Sequence, residues 1–141
     1  MICRQIPPDA ALIAWPVIAP LLRRALDHSL GEYSLGDVRD AVLKGDMTLF
    51  AAVEGYRVMG VMVAQVLPFP AKRVLHVLLL GGEKLAEWQP SMDRVVSEWG
   101  RANGCTIATA YCRPGMARVL CRDGQYQAAY TVVSRTLEDT R

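Results

Sequence analysis

Histidine and cysteine are the side chains of this sequence best suited to acid–base, nucleophilic or metal chemistry. His76 lies inside the apolar run Val74–Leu80, where a histidine is either a hydrogen-bonded core residue or a general base. The four cysteines lack the two-to-four-residue spacing of a zinc site, and only two histidines could activate a thiol. We therefore expect free, mostly buried thiols, no metal site and one candidate catalytic residue, His76. The cysteines are Cys3, Cys105, Cys112 and Cys121.

Three arginines, Arg113, Arg118 and Arg122, cluster in the carboxyl-terminal part of the chain. A short helix is predicted there, and residues four apart, such as Arg118 and Arg122, share a helix face. Guanidinium groups bind phosphates and carboxylates bidentately. The cluster therefore predicts either a contact with a phosphate or an acidic partner surface, or a solvated face paired in part with Asp123.

The three tryptophans and Phe69 suggest two different roles. Trp15 and Phe69 each stand beside a proline in stretches that are predicted as loops, and aromatics held by rigid turns are typical interface anchors. Trp88 and Trp99 are eleven residues apart, close to three helical turns, so we expect both on the packed face of one helix. Trp15 and Phe69 thus join the arginines as predicted partner-binding residues.

Composition predicts an ordinary soluble domain and excludes several classes of protein. The chain has 141 residues, 52% of them hydrophobic and 21% charged, with a net charge of +2. This balance excludes disorder and gives no nucleic-acid footprint. The uncharged run Ala10–Leu22 is shorter than the about 20 residues of a membrane span, and no signal-peptide cleavage pattern follows it. The expected location is the cytoplasm or a particle assembled there.

Periodicity assigns the elements of the first part of the chain. We expect a strand at Ile2–Ile6 and a helix from about Pro16 to His28, with a proline in its first turn. Ser34 with Asp37 forms a capping-box-like start of a second helix, which Gly45 ends. Three strands follow, with a hairpin turn between the first two and Gly81-Gly82 ending the third. They are Met47–Val53, Val58–Leu67 and Arg73–Leu80.

The later elements alternate between helix and strand. Because Pro90 interrupts the helical pattern, we expect the regular helix to start near Gln89. The remaining predicted elements are a strand at Cys105–Cys112, a helix from Pro114 to Gly124 and a strand or hairpin at Gln125–Leu137. The order β-α-α-β-β-β-α-β-α-β predicts an α/β fold with a central mixed sheet and helices on both faces.

This order resembles the GNAT acetyltransferase superfamily over nearly the whole chain, as one domain over residues 1–141. The resemblance rests on Leu75–Leu80 with Gly81-Gly82 and the helix that follows, on Gly104-Cys105, and on Arg113–Leu120 with Asp123-Gly124. The last of these stretches looks most like the small GNAT-like proteins of tailed bacteriophages. If the chain is a working acetyltransferase of this kind, we expect a cleft between the strands that end at Leu80 and begin at Cys105, with His76 pointing into it.

The resemblance also implies a loop that holds the pyrophosphate of acetyl-CoA. Such loops follow the pattern Gln/Arg-x-x-Gly-x-Gly/Ala, and backbone N–H groups at a helix start suit the anion. Here Gly81, Gly82 and Lys84 are the candidate cofactor-binding residues. The spaced second glycine is missing, Glu83 adds a negative charge, and a glycine pair is also a common strand end.

In the GNAT superfamily the general acid is often a tyrosine four residues before the glycine that ends the penultimate helix. Leu120 has that position here, and it cannot transfer a proton. Tyr126 and Tyr130 are nearby, but we expect them to pack against a neighbouring strand. The sequence therefore favours a non-catalytic protein that binds other subunits, such as a phage particle component, with no cofactor. The alternative is an acetyl-CoA-dependent N-acetyltransferase, and a small ligand-binding domain stays open.

Overall fold

A computed structural model of the chain describes residues 1–122 and 124–137. Asp123, and with it the predicted pairing of this residue with the arginines, lies outside them. The chain divides into two compact units, Met1–Ala110 and Tyr111–Arg141. Each is described by itself below, and a single domain over residues 1–141 stays a prediction.

The first unit contains a five-stranded mixed sheet and three helices. The strands are β1 (Ile2–Ile6), β2 (Thr48–Glu54), β3 (Arg57–Pro68), β4 (Arg73–Gly82) and β5 (Cys105–Ala110), and the helices are α1 (Pro8–Leu26), α2 (Leu35–Lys44) and α3 (Leu85–Ala102). The sheet has the order β1-β2-β3-β4-β5. The first four strands pair antiparallel in sequence order, and β5 pairs parallel with β4. A parallel connection needs a crossover, which α3 supplies.

Helices cover both faces of this sheet, as the sequence predicts. One core cluster joins α1 and α2 to the sheet through buried residues such as Ile18, Leu22 and Val38. The other joins α3 to the opposite face through Trp88, Met92 and Val96. Trp99 also contacts this second core, with its ring edge against Phe50 at a centroid distance of 5.5 Å. The predicted packing of both tryptophans of α3 is therefore confirmed.

The start of α1 differs from the prediction. The helix begins at Pro8, so Pro16 and Pro20 lie inside it rather than in its first turn. An internal proline removes one helical hydrogen bond and crowds the preceding turn. Both prolines are exposed, so other residues form the face of α1 that packs on the sheet, and the helix is continuous through both positions. Trp15 consequently lies in a helix, half-buried against the first core, and not in a loop.

The predicted caps of α2 are confirmed, whereas the predicted start of α3 is wrong. The Ser34 side chain accepts from the Asp37 backbone N–H while the Asp37 carboxylate accepts from the Ser34 N–H, and Gly45 ends α2 with a φ of 86°. By contrast, α3 begins at Leu85 and includes Pro90. The prediction of a start near Gln89 was wrong because an exposed proline near a helix start removes few helical hydrogen bonds.

Among its described residues, the second unit contains one helix, α4 (Pro114–Leu120), which is shorter than predicted. Arg122 lies beyond its end, so Arg118 and Arg122 do not share a helix face. The predicted strand at Gln125–Leu137 is absent from the described residues, where 126–137 have no regular structure. β-Branched and aromatic residues favour strands only where a neighbouring strand pairs with them, and in the described part of the chain none pairs with this run.

Candidate functional site

The parallel strands β4 and β5 pair along only part of their length. Their pairing ends at Val77 and Ala110, whereas β4 continues to Gly82. Residues 78–82 therefore have β3 on one side and, among the described residues, no strand on the other. We call this opening the split; it lies between residues 78–82 of β4 and the end of β5 at Ala110. Crevices at the carboxyl ends of parallel strands are frequent ligand sites.

A β-bulge lies where the split begins. The β3–β4 register pairs Ala64 with Val77 and Val63 with Leu79, so Leu78 is an extra residue. Val77 packs in the core on the α3 face, and Leu79 packs in the core on the α1 face. The bulge thus reverses the alternation of side chains along β4, which is a common way for a strand to leave regular pairing next to a site.

Glu83 is held in the turn between β4 and α3 by three of its groups. Its backbone N–H donates to the Met59 carbonyl at 2.9 Å, and its own carbonyl accepts from the Trp88 indole N–H at 2.7 Å. Its carboxylate pairs with the Arg57 guanidinium at 2.9 Å. This ion pair offsets the negative charge that the sequence suggested would repel an anion. Arg57 was not predicted, because the two residues are 26 positions apart.

The start of α3 lies next to this turn and has the features of an anion site. The first N–H groups of a helix have no partner within it, and the helix dipole favours a negative charge there. Lys84 is the N-cap residue, and its side chain makes no capping hydrogen bond. Leu85 and Ala86 follow as the first helical residues, with Ala86 exposed. The turn therefore combines a lysine with a helix N-terminus at the mouth of the split.

The two glycines of this turn belong to β4 rather than ending it. Gly82 pairs with Gly60 and Gly81 with Val61, so the predicted strand end at Leu80 was wrong. A Cβ at Gly81 would lie 2.8 Å from the Leu21 carbonyl oxygen of α1, and one at Gly82, whose φ is 138°, would overlap with the Met59 carbonyl. Both glycines are needed for close packing of backbones. Their predicted role in holding a cofactor stays a prediction.

Lys84 offers a test of how strained this turn is. It has a φ of 55°, in the left-handed region that costs an L-residue about 1–2 kcal/mol. We expect Lys84→Gly to raise the free energy of unfolding by about 1 kcal/mol, because glycine has no Cβ to strain. Urea unfolding measures the change. Lys84→Ala is the control, since it removes the same charge and keeps the strain; an equal gain in Lys84→Ala would contradict the explanation.

His76 is buried on β4, one residue before the last parallel pair. Only 5% of it is exposed, and its Nδ1 shares a hydrogen bond of 2.9 Å with the Thr109 hydroxyl on β5. Leu75 and Val77 face α3, so His76 lies on the other face of the sheet. The hydrogen-bonded core histidine, one of the two sequence-based interpretations, is thus what the structure has. A role as general base stays a prediction, and Thr109 is a residue that sequence reasoning missed.

Burial should make stability depend on pH through His76. Loss of solvation lowers the pKa of His76 from its ordinary value of 6.5. The unfolded chain then binds more protons than the folded chain at mildly acid pH, so stability is full above pH 6.5 and falls as the pH decreases. We expect wild type to lose more stability between pH 7 and pH 5 than His76→Gln does. Parallel urea-unfolding curves for the two proteins would contradict this prediction.

The predicted partner-binding residues do not form one cluster within the first unit. Phe69 is exposed in the turn between β3 and β4, whereas Trp15 packs against the core that joins α1 and α2 to the sheet. In the second unit, Arg113 is the N-cap residue of α4, and all three arginines are exposed. No ion pair involves these arginines within residues 1–122 and 124–137.

Leu120, Tyr126 and Tyr130 are the residues that the sequence places at or near the position of the acid, and none of them is an exposed proton donor on a helix or strand. Leu120 is buried at the end of α4. Tyr130 is 92% exposed, so its predicted packing against a strand was wrong; the segment that carries it forms no strand in which to pack. Tyr126 is half-buried in the same irregular segment.

All four cysteines are free, as predicted, but only Cys105 is buried. Cys112 is exposed and the other two are half-buried, so the expectation of mostly buried thiols was wrong; the exposed thiol follows the end of β5, outside the core. The described residues contain no group of three His, Cys, Asp or Glu side chains that could hold a metal ion. They also contain no helix that is long and apolar enough to cross a bilayer.

Neither a protein-family model nor a curated protein sequence matches this chain. Solved acetyltransferase structures do match it. An aminoglycoside acetyltransferase from an uncultured soil metagenomic sample, in complex with sisomicin, has a TM-score of 0.70 and 11% identity, covering 98% of this chain and 95% of that one. Aminoglycoside N-acetyltransferase AAC(6')-Iy in complex with CoA has a TM-score of 0.69 and 14% identity, covering 97% and 94%.

A ribosomal-protein-alanine N-acetyltransferase from Brucella melitensis biovar Abortus 2308 is similar to the same degree, with a TM-score of 0.69, 12% identity and coverage of 99% and 100%. Likeness at such low identity extends to the fold and no further. It confirms the predicted mixed sheet with helices on both faces, and nothing in it supports a phage relationship. The fold of this chain is that of the GNAT acetyltransferases.

Proposed function

We propose that this protein binds acetyl-CoA in the split and acts as an N-acetyltransferase. The observation that carries the proposal is the open edge of β4 next to the uncapped N-terminus of α3. Both features lie in the first unit, on the continuous stretch 78–86. Residues 78–82 leave one side of the β4 backbone without a partner strand, and Lys84 stands at the start of α3. A long ligand with an anionic middle suits that arrangement.

The residues fit such a ligand in three respects. Helical N–H groups at Leu85 and Ala86, together with the Lys84 ammonium, would hold the pyrophosphate. The Arg57 guanidinium keeps the Glu83 carboxylate paired, so that its charge is partly offset. The free backbone edge of residues 78–82 would position the thioester arm by hydrogen bonds of the strand type.

Acetyl-CoA, when bound, supplies an activated acetyl group for an amine. The chain would contribute mainly by holding the thioester and the amine in the geometry in which they react, which can account for a large part of a rate enhancement. His76 is neutral at pH 7 because burial lowers its pKa, so it is in the protonation state of a base. The acceptors of two neighbours, an aminoglycoside and a protein amino-terminal alanine, define the first amines to try.

A second candidate is the non-catalytic binding protein that the sequence favours, a subunit of a larger assembly such as a phage particle. The specific observation in its favour is Leu120, which is apolar and buried where the superfamily has its acid. In that case the exposed Phe69 and the three arginines would contact other subunits. Binding of acetyl-CoA without turnover of any amine would favour this candidate.

The two candidates differ in turnover. The protein is incubated with acetyl-CoA and either an aminoglycoside or a peptide with an amino-terminal alanine, and the acetylated product is detected by mass spectrometry. Thiol reagents are avoided, since the exposed Cys112 would react with them. The enzyme predicts acetylated product that depends on protein concentration and falls in His76→Gln. Absence of product with every amine would contradict the catalytic proposal.

A further inference from the structure

The outward side of α1 is apolar, unlike that of an ordinary surface helix. Leu12, Ile13 and Val17 are 50%, 83% and 56% exposed. Pro16 and Pro20 are exposed on the same side of the helix, which has no charged residue from position 10 to position 22. At the helical repeat these five side chains lie within an arc of about 140°. Apolar patches of this kind on a folded chain mark contact surfaces.

Charged residues bound this patch at its two ends. Asp9 lies seven positions before Pro16, and Arg23 lies seven positions after it, followed by Arg24. All three are exposed, and the part of the chain that the structure describes gives none of them an ion pair. We define the α1 surface as Asp9, Leu12, Ile13, Pro16, Val17, Pro20, Arg23 and Arg24.

The α1 surface is therefore complementary to itself when reversed. If two α1 helices lie antiparallel and cross at Pro16, Asp9 of each copy faces Arg23 and Arg24 of the other. A parallel arrangement would instead bring equal charges together at both ends, which is unfavourable. Self-complementarity of one patch is what a two-fold symmetric interface requires.

We propose that this protein forms a two-fold symmetric dimer through the α1 surface, with the α1 helices antiparallel and Pro16 near the axis. The five apolar side chains pack at the centre, and two symmetry-related sets of charges close the ends. A bilayer is a poorer occupant, because helices that lie in a membrane surface are rich in Lys and Arg on their polar side. On the α1 surface Arg23 and Arg24 lie at one end and Asp9 at the other, so anionic headgroups would attract one end of the helix and repel the other.

Sedimentation equilibrium of the full chain tests the dimer. Wild type should sediment as a dimer, and Ile13→Asp should raise the dimer dissociation constant at least about tenfold, since a carboxylate would be buried at the seam. Leu30→Asp is the matched control, because Leu30 is 64% exposed in the loop after α1, and its dimer should be unchanged. Far-UV circular dichroism checks that each variant is folded.

Charge reversal distinguishes the antiparallel arrangement from any other. Asp9→Arg alone and Arg23→Asp with Arg24→Asp should each weaken the dimer, and the three changes combined should restore it. In a parallel pair, Asp9→Arg would leave the repulsion at that end unchanged. A wild-type monomer at high micromolar concentration, a dimer insensitive to Ile13→Asp, failure of the combined variant to restore it, or binding of the monomer to anionic vesicles would each overturn the proposal.

Discussion

Trp88→Ala is expected to lower the free energy of unfolding by about 3–5 kcal/mol, the usual cost of removing a buried tryptophan. Trp88 is 1% exposed and lies in the core between α3 and the sheet. Its indole N–H also donates to the Glu83 carbonyl, so its loss removes an anchor of the turn that precedes α3. Since small domains are stable by about 5–15 kcal/mol, this single change removes a large part of the margin.

Gly60 provides the partner for a double-mutant cycle. A Cβ at Gly60 would overlap with the six-membered ring of Trp88, so Gly60→Ala should cost about 1–3 kcal/mol in the wild-type background. In the Trp88→Ala background the ring is gone, and the same change should cost little. Urea unfolding of the four proteins gives the coupling. Strictly additive losses would show that the two residues do not contact each other as described.

The second large effect concerns ligand binding at the start of α3. Ala86→Glu should weaken acetyl-CoA binding about a hundredfold, because a carboxylate in the first turn of α3 would repel the pyrophosphate and compete for the same N–H groups. The same change should leave stability equal or raise it by about 0.3–1 kcal/mol, since an acidic residue suits a helix N-terminus. Ala86 is exposed, so neither effect involves the core.

Ala86→Gln is the matched control for this prediction. It has nearly the same shape as Ala86→Glu and no charge, so it should bind acetyl-CoA within a few-fold of wild type. Isothermal titration calorimetry measures both affinities, and thermal unfolding without ligand measures both stabilities. Equal affinities for the two variants would mean that the pyrophosphate does not lie at the N-terminus of α3.

The features that the sequence predicted best are set by neighbours along the chain. Ser34, Asp37 and Gly45 define α2 through hydrogen bonds within a few residues and a left-handed cap, which local patterns reveal. The order of elements up to α4 follows from periodicity in the same way. The fold class could be predicted from these patterns because each buried face needs only a helix or a strand against it.

The errors arose where a residue's effect depends on which side of an element it faces. Pro16, Pro20 and Pro90 suggested helix ends, yet each lies on an exposed side, where a proline disturbs no packing. Gly81-Gly82 suggested a strand end, but these glycines allow α1 and β3 to approach β4 closely. The amino-acid composition of a segment does not show which side of its helix or strand a given residue faces.

The sequence could locate the turn of the candidate site but not the contacts that hold it. The turn with Lys84 was identified from its glycines, whereas the partners of Glu83 and His76 were not. Arg57 and Thr109 come from strands 26 and 33 residues distant in sequence, and only the register of the sheet brings them into contact. Thr109 could have been suspected as a polar residue in the otherwise apolar stretch Ile107–Ala110 opposite His76.

A titration of the ¹⁵N-labelled protein with acetyl-CoA, followed residue by residue by NMR, would locate the ligand on the chain, and a protein of 15.5 kDa is well within the range of the method. If the split and the N-terminus of α3 hold the ligand, the largest changes in amide chemical shift should fall on residues 78–86 and on Ala110. Ala86→Glu should abolish them at the same ligand concentration. If no amide chemical shift changes at millimolar acetyl-CoA, or if the largest changes fall on α2 and the β2–β3 turn, acetyl-CoA does not bind in the split.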